Sequence, residues 1–216
     1  WMIIFAVIAV IMVLIGIYHI KVLPSTQIPS TTKKTTSEVG RELVGVIANF
    51  FTKKHILYYI CFIILYRLAE GFIMKIAPLF LRASSDVGGL GLSLTEIGTL
   101  NGIFGSAAFV LGSLLAGIYV SKFGLKKTLF TLCCIFNLPF VAYTFLAVAQ
   151  PTNVYLIGTC ITMEYFGYGF GFVGLTLFMM QQIAPGKHQM SHYAFASGIM
   201  NLGVMLPGSI SGFVSD

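Results

Sequence analysis

The sequence predicts an all-α fold, a polytopic membrane bundle of six transmembrane helices. Hydrophobic residues make up 57% of the chain and charged residues only 9%, whereas soluble globular domains carry about 25% charged residues. The apolar residues are gathered into long stretches, each near the roughly 20 residues that a helix needs to cross a bilayer. Composition and patterning together therefore indicate an integral membrane protein.

Six stretches have the length and hydropathy of a membrane span. They cover residues 1–20, 55–82, 95–120, 128–149, 154–184 and 192–215. The first has no basic leader and no small-residue cleavage site, so it is interpreted as a retained span and not a signal peptide. The four cysteines lie inside apolar stretches without a CxxC pair, which favours packing positions over disulfides or metal ligands.

The connections between the predicted spans alternate in charge. Three of them, 21–54, 121–127 and 185–191, hold most of the 13 lysines and arginines, and the other two hold almost none. Basic residues accumulate on the cytoplasmic side of membrane proteins, so these three connections are predicted to be cytoplasmic. Orientation signals explain the net charge of +6, and a nucleic-acid partner is not expected. Both ends of the chain would then lie outside, which suggests a fragment of a longer protein.

The connection over residues 21–54 has two parts. Residues 24–37 are rich in serine and threonine and are predicted to form a flexible linker. Thr35 and Glu38 then have the spacing of a capping box, and apolar residues recur at helical spacing from Val39 to Phe51. An amphipathic helix is predicted there. The sequence leaves open whether it lies on the membrane surface or packs under the bundle.

Charged residues lie within the predicted spans, at depths where charge is costly. Arg67 and Glu70 are three positions apart, which puts them on one helical face, whereas Glu164 has no cationic residue within one turn. Because buried charge in a membrane generally serves binding or ion movement, these side chains are the leading functional candidates. Lys75 is equally consistent with an interfacial residue. A fixed Arg67–Glu70 pair that only holds the bundle together is the structural alternative.

Other motifs are interpreted as packing features. Gly169, Gly171 and Gly174 match a dinucleotide-binding pattern in spacing alone, without a preceding strand, so no cofactor is expected. His188 and His192 are four apart but have no third ligand nearby, so no metal site is expected. A membrane-embedded enzyme would need clustered catalytic residues at one depth. None are found, so an enzyme is not expected.

An internal repeat links the two ends of the predicted bundle. Glu70 and Glu164 are 94 positions apart, and a run beginning at Gly112 recurs in shortened form from Gly208. The second and third spans therefore match the fifth and sixth. An odd number of spans separates the matched helices, so their orientations in the membrane are inverted, as in transporter folds whose site lies at the midplane.

The run after the third span resembles a loop motif of the major facilitator superfamily, G-x-x-x-D-R/K-x-G-R/K-R/K. The matching residues are Gly117, Ser121, Lys122, Gly124, Lys126 and Lys127, with Ser121 in place of the acid. The resemblance implies that the six spans are helices six to eleven of a twelve-helix fold. Residues 1–20 would end the N-terminal half, 21–54 would be the central cytoplasmic linker, and 55–216 would form an incomplete C-terminal bundle. The missing N-terminal half of the same polypeptide is then an expected partner.

Within that superfamily, the segments around Arg67 and Glu70, around Glu164, and from Tyr193 to Gly212 are similar to the muropeptide permease group. The resemblance implies a secondary transporter of the bacterial inner membrane, working by alternating access. It would be proton-coupled and import cell-wall-derived anhydro-muropeptides or related saccharide-peptides. Its expected partners are this small-molecule substrate, protons and the lipid bilayer.

Roles for single residues follow from that expectation. Glu70 or Glu164 is expected to take up the proton, and Arg67 to bind an anionic substrate. Further substrate contacts are expected from Tyr66, Tyr165, Tyr168 and Asn137. Two alternatives stay open: a permease or exporter for another solute, such as a sugar, peptide or drug, and a non-transporting membrane scaffold or sensor. A scaffold would tolerate neutral residues at positions 67, 70 and 164, whereas a proton-coupled carrier would not.

Overall fold

The computed structural model describes residues 2–23 and 35–215, with side chains described as far as residue 212. Every regular element in these residues is helical, which confirms the all-α fold class. Residues 24–34, most of the predicted flexible linker, lie outside the described residues. The chain divides into two compact units, Trp1–Glu42 and Leu43–Asp216.

The first unit contains helix α1 and the beginning of α2. Helix α1 covers Met2–Val22, exposes its side chains along its whole length, and is long and apolar enough to cross a membrane. Helix α2 covers Thr36–Phe51. Ahead of its first turn, the backbone N–H of Thr35 donates to Oε2 of Glu38 at 2.8 Å, so this acidic side chain satisfies a backbone donor at the helix start.

The second unit contains the end of α2 and seven further α-helices in the described residues. They are α3 (Ile56–Arg82), α4 (Leu94–Thr99), α5 (Ser106–Phe123), α6 (Leu125–Asn137), α7 (Phe140–Ala149), α8 (Val154–Phe178) and α9 (Gln189–Ser215). A π-helical segment, Leu100–Gly105, joins α4 to α5, and another, Met179–Ile183, extends α8. Helices α6 and α7 meet at Leu138 and Pro139, where the proline lacks a backbone donor and interrupts the helix.

Five helical stretches of the described residues are long and apolar enough to cross a membrane, which confirms a multi-pass bundle. They are Met2–Val22, Ile56–Arg82, Leu94–Phe123, Leu125–Ala149 and Gln189–Gly212. Helix α8, within the predicted span 154–184, is long enough at 25 residues but is less apolar, because it contains Glu164 and several tyrosines and glycines. These residues fit its position, since α5 and α6 both pack against it and cover its surface with protein.

Glycines allow the helices around α8 to meet backbone against backbone. A Cβ atom at Gly169 would lie 2.1 Å from the carbonyl oxygen of Phe109 on α5, and one at Gly112 would lie 2.3 Å from the carbonyl oxygen of Phe166. Neither position has room for a larger residue. The contacts agree with the interpretation of these glycines as packing positions.

The first helix of each repeat packs on the second helix of the other repeat, as an inverted repeat predicts. Helix α5 packs on α8, and α9 packs on α3. Gly112 of α5 lies against Phe166 and Phe170 of α8, while Gly208 of α9 lies against Gly71 and Lys75 of α3. Equivalent partners are offset by 95 or 96 positions, close to the 94 that separate Glu70 from Glu164.

The predicted loop over residues 121–127 is much shorter than expected. Helix α5 continues to Phe123 and α6 begins at Leu125, so Gly124 alone connects them. Gly124 has a φ of 79°, a conformation that side-chain-bearing residues avoid, and this lets one residue make the turn. The polar residues that suggested a loop lie in helical turns, where Ser121 donates its hydroxyl to the carbonyl of Ile118 at 2.8 Å.

Candidate functional site

Helix α3 holds a closed pair of charges, formed by Arg67 and Glu70. The two side chains are one turn apart and only 6% and 5% exposed. Arg67 Nε donates to Glu70 Oε2 at 2.6 Å, and Arg67 Nη2 donates to Glu70 Oε1. This two-pronged contact uses the planar fork of the guanidinium, the geometry that binds a carboxylate most strongly. The predicted pairing of these residues therefore exists in the structure.

Helix α8 brings a phenol and a phenyl ring to the same pair. The Tyr168 hydroxyl lies 3.5 Å from Arg67 Nη2. The Phe172 ring lies under the guanidinium, with its centre 5.6 Å from Arg67 Cζ. A cation over an aromatic face is attracted by the ring's electron density, so Phe172 favours the charged guanidinium. We call Arg67, Glu70, Tyr168 and Phe172 the arginine cluster.

Glu164 lies on the same helix as Tyr168, one turn earlier, and is 9% exposed. Its carboxylate is within electrostatic range of Glu70. With none of the described residues does it form a hydrogen bond or an ion pair. The neighbourhood of the arginine cluster thus holds two buried carboxylates and one guanidinium, an arrangement in which charge is not balanced unless a proton or another ion binds.

The remaining predicted contact residues lie around the cluster in different roles. Tyr66 donates its hydroxyl to the carbonyl of Gly171 at 2.8 Å and is buried, so it joins α3 to α8. The ring of Tyr165 fills the space beside Gly105. Asn137 donates to the carbonyl of Cys133 at 3.0 Å, within its own helix, and is half-buried. Only Tyr168 of these four contacts the charged pair through its polar group.

The loop-motif residues lie away from the arginine cluster, at the junction of α5 and α6. Ser121 and Lys122 are in the last turn of α5, and Lys126 and Lys127 are in the first turn of α6. All four are exposed, and Gly117 within α5 is half-buried. Lys75 is also exposed, consistent with an interfacial side chain.

Phe172 is a member of the cluster that the sequence interpretation missed. Glu164, Tyr168 and Phe172 follow one another at intervals of four, which places all three on one face of α8. That spacing was a usable signal, because an aromatic residue in line with a buried acid faces the same neighbours. Phe109, whose ring centre is 5.1 Å from that of Tyr168, had no such signal, because α5 is distant in sequence.

Two open grooves occur elsewhere in the second unit. One, of about 510 Å³, lies between the Leu94–Gly105 segment and the first half of α8, and the other, of about 430 Å³, lies beside Pro139. Neither is lined by Arg67, Glu70 or Glu164. Within residues 2–23 and 35–215, no group of three or more histidine, cysteine or acidic side chains is arranged to hold a metal ion.

Comparison with known proteins gives one family. The model of the Major Facilitator Superfamily matches residues 1–212. The anhydromuropeptide permease of Escherichia coli strain K12 is 21% identical over 185 residues, and so is that of Escherichia coli O157:H7. The match covers 86% of this chain but only 36% of each relative, so the chain spans about a third of their length. Because the family model matches nearly every residue, as the loop motif predicted, the chain belongs to the Major Facilitator Superfamily.

Proposed function

We propose that the chain is part of a proton-coupled secondary transporter that imports anhydro-muropeptides or related saccharide-peptides across the bacterial inner membrane. The observation that carries the proposal is the arginine cluster with Glu164 beside it, where α3 and α8 face each other and Arg67, Glu70 and Glu164 are buried. The superfamily consists of transporters that alternate access to a central site. Similarity to two anhydromuropeptide permeases supports the substrate class.

Arg67 is the proposed anchor for a carboxylate of the substrate. Its fork now binds Glu70 through two nitrogen atoms, and a peptide carboxylate has the same shape and charge as the Glu70 side chain. A substrate carboxylate would therefore compete with Glu70 for the same donors. Binding requires Glu70 to give up the fork, and its charge would then be buried without a partner.

Protonation of Glu70 removes that cost and couples the binding of a proton to the binding of substrate. If Glu70 takes up a proton when the substrate carboxylate arrives, Arg67 keeps one negative partner and the cluster keeps its net charge. Glu164, close enough to interact with Glu70, is the second group able to accept or pass on the proton. Proton and anionic substrate would thus bind together, which is the requirement for symport.

Aromatic side chains around the cluster suit the sugar part of the substrate. The Tyr168 ring packs among Phe109, Phe136 and Phe172, with centre distances of 5.1, 5.7 and 5.8 Å. Flat apolar ring faces pack against the C–H faces of sugars while the Tyr168 hydroxyl keeps its polar contacts. We assign Tyr165 and Asn137 to the outer part of this site, and Tyr66 to its wall.

Segments outside the arginine cluster have proposed places in the whole transporter. We propose that residues 1–20 end one helical half, that 21–54 connect the halves on the cytoplasmic side, and that 55–216 belong to the second half. The residues Gly117, Ser121, Lys122, Gly124, Lys126 and Lys127 would form the turn that changes its contacts as the halves rock. Transport is therefore expected of the complete polypeptide.

Uptake of labelled anhydro-muropeptide into sealed vesicles tests the proposal. The complete polypeptide is reconstituted, an inward pH gradient is imposed, and uptake is compared with and without a protonophore. We expect accumulation that the protonophore abolishes and that unlabelled muropeptide, but not a neutral disaccharide, competes away.

The alternatives give different outcomes in the same vesicles. Gradient-driven accumulation of a sugar, peptide or drug in place of the muropeptide would leave a carrier with another substrate. Absence of uptake for every solute in a screen, by correctly folded and oriented protein, would contradict the transporter and favour a scaffold or sensor.

A further inference from the structure

Helix α2 has a broad apolar surface of which the bundle covers only one part. Val46 and Phe50 are buried, at 6% and 1% exposed. The Phe50 ring packs against His192 and Phe195 at the start of α9, with centre distances of 5.7 and 5.6 Å. This side of α2 is therefore an internal contact of the second unit.

A second apolar strip lies directly beside the buried side. Successive helical residues are about 100° apart, so Leu43, Ile47 and Phe51 form a line next to Val46 and Phe50. They are 58%, 42% and 55% exposed, and Val44 at the edge of the strip is 66% exposed. Ala48 and Asn49 occupy the polar side of the helix. We call Leu43, Val44, Ile47 and Phe51 the outer strip.

Lys53 fixes the direction in which the outer strip points. Its ammonium group donates to the carbonyl oxygens of Ile183 and Pro185, the latter at 2.8 Å, where the chain turns from α8 towards α9. These two contacts and the buried Phe50 ring hold α2 at two points. Rolling the outer strip onto the bundle would require the contacts of both Lys53 and Phe50 to break.

The connection to α3 places the outer strip at the membrane boundary. Helix α2 ends at Phe51 and α3, which is long and apolar enough to span, begins at Ile56. The backbone N–H of Ile56 donates to the carbonyl of Lys53, so the two helices are joined by one tight turn. The outer strip is thus continuous with the level at which α3 enters the bilayer.

Charge at this end of the second unit matches an anionic surface. The turns before α3, between α5 and α6, and between α8 and α9 lie at the same end, since successive spans alternate in direction. Exposed lysines at that end are Lys54, Lys122, Lys126, Lys127 and Lys187. The opposite end has exposed Arg82 together with exposed Asp86. An amphipathic helix beside such a lysine group binds anionic lipid by burying its apolar side among acyl chains.

We propose that the outer strip of α2 inserts into the boundary between headgroups and acyl chains of an anionic leaflet. Leu43, Ile47 and Phe51 enter the acyl region, and Lys54 contacts lipid phosphate. Through its contacts with the carbonyls of Ile183 and Pro185, Lys53 links the depth of α2 in the membrane to the end of α8, the helix of Glu164 and Tyr168. The proposal does not depend on which solute is transported.

Tryptophan fluorescence in vesicles tests it directly. The whole chain contains one tryptophan, Trp1, which is replaced by phenylalanine, and single variants Ile47→Trp and Ala48→Trp are compared. Both positions are exposed and adjacent, but Ile47 belongs to the outer strip and Ala48 to the polar side. The vesicles contain phosphatidylglycerol with lipids brominated near the headgroup end of their acyl chains, and acrylamide serves as the aqueous quencher.

We expect brominated lipid to remove most of the fluorescence of Ile47→Trp and to shift its emission to the blue. Ala48→Trp should instead be quenched by acrylamide. Neutral phosphatidylcholine vesicles, or the added change Lys54→Gln, should weaken the lipid quenching of Ile47→Trp. Acrylamide quenching of both variants alike, or lipid quenching of both alike, would overturn the proposal. Equal lipid quenching in neutral and anionic vesicles would overturn the choice of an anionic surface.

Discussion

Arg67 has three different kinds of neighbour in a volume that water hardly reaches. A carboxylate binds its fork, a phenol hydroxyl contacts one of its nitrogens, and a phenyl ring lies under its plane. Lysine would supply the charge but neither the fork nor the flat surface for Phe172. The chemistry at this position therefore depends on the guanidinium as a shape as well as a charge.

Removing one member of the Arg67–Glu70 pair should cost much more stability than removing both. Arg67→Gln leaves the Glu70 charge buried without its partner, which we expect to cost about 3–5 kcal/mol. The double change Arg67→Gln with Glu70→Gln leaves no buried charge at the pair and should stay near wild type. Thermal unfolding in detergent measures both. If the double variant were as unstable as Arg67→Gln, the pair would be a net structural bond, as the structural alternative holds.

Some contacts of these residues can be predicted from the sequence and others cannot. Arg67 and Glu70 are three apart on one helix, so their pairing followed from spacing alone. The contact of Tyr168 with that pair joins residues 101 positions apart and depends on how α3 and α8 pack. Tyr66 is predicted to contact substrate, and its hydroxyl donates to the Gly171 carbonyl, a partner that no side-chain pattern reveals.

At the scale of elements, α8 is the helix whose contacts are least tolerant of change. Backbone atoms of α5 and α6 come so close to its glycines that a single added carbon would collide with them. The low hydropathy and the many glycines of α8 therefore have the same cause, because protein covers more of its surface than lipid does.

Gly169→Ala should destabilise the bundle, because the new Cβ atom would lie 2.1 Å from the carbonyl oxygen of Phe109. Overpacking of this kind costs about 1–3 kcal/mol when neighbours shift, and backbone has little room to do so. Gly198→Ala in α9 is the matched control, since nothing lies within 4 Å of its added carbon. For Gly198→Ala, we expect the free energy of unfolding to rise by about 0.5–1 kcal/mol, because alanine makes the unfolded chain less flexible. Equal unfolding midpoints for the two variants would contradict the close α5–α8 contact.

Helix positions were predictable to within a few residues, because apolar stretches and charged ends define a span. The exception was the segment 121–127, where serine and lysine suggested a loop although both occur in helical turns. Long lysine side chains reach the interface from within a helix, so polarity alone does not end one. The π-helical segments at Leu100–Gly105 and Met179–Ile183 left no signal in the sequence that we recognised.

At the scale of the molecule, the exchanged contacts of α3, α5, α8 and α9 relate the two repeats. Helices α3 and α8, which carry the charged residues, occupy equivalent positions in the two repeats. Glu70 and Glu164 thus lie within one residue of equivalent positions on facing elements, near the place where repeats meet in transporter folds. Under the proposed function, this pair of acids takes up and releases the coupling proton.

The most direct test asks whether a carboxylate of this pair carries the coupling proton. Glu70→Gln and Glu164→Gln are compared with wild type and with Asp86→Asn, an exposed acid outside the spans, in vesicles containing the complete polypeptide. Two rates are measured for labelled anhydro-muropeptide: accumulation driven by a pH gradient, and exchange at equal pH with muropeptide on both sides. We predict that one glutamine variant loses accumulation but keeps exchange, because substrate still crosses while the proton does not. Full accumulation in both glutamine variants would contradict the account.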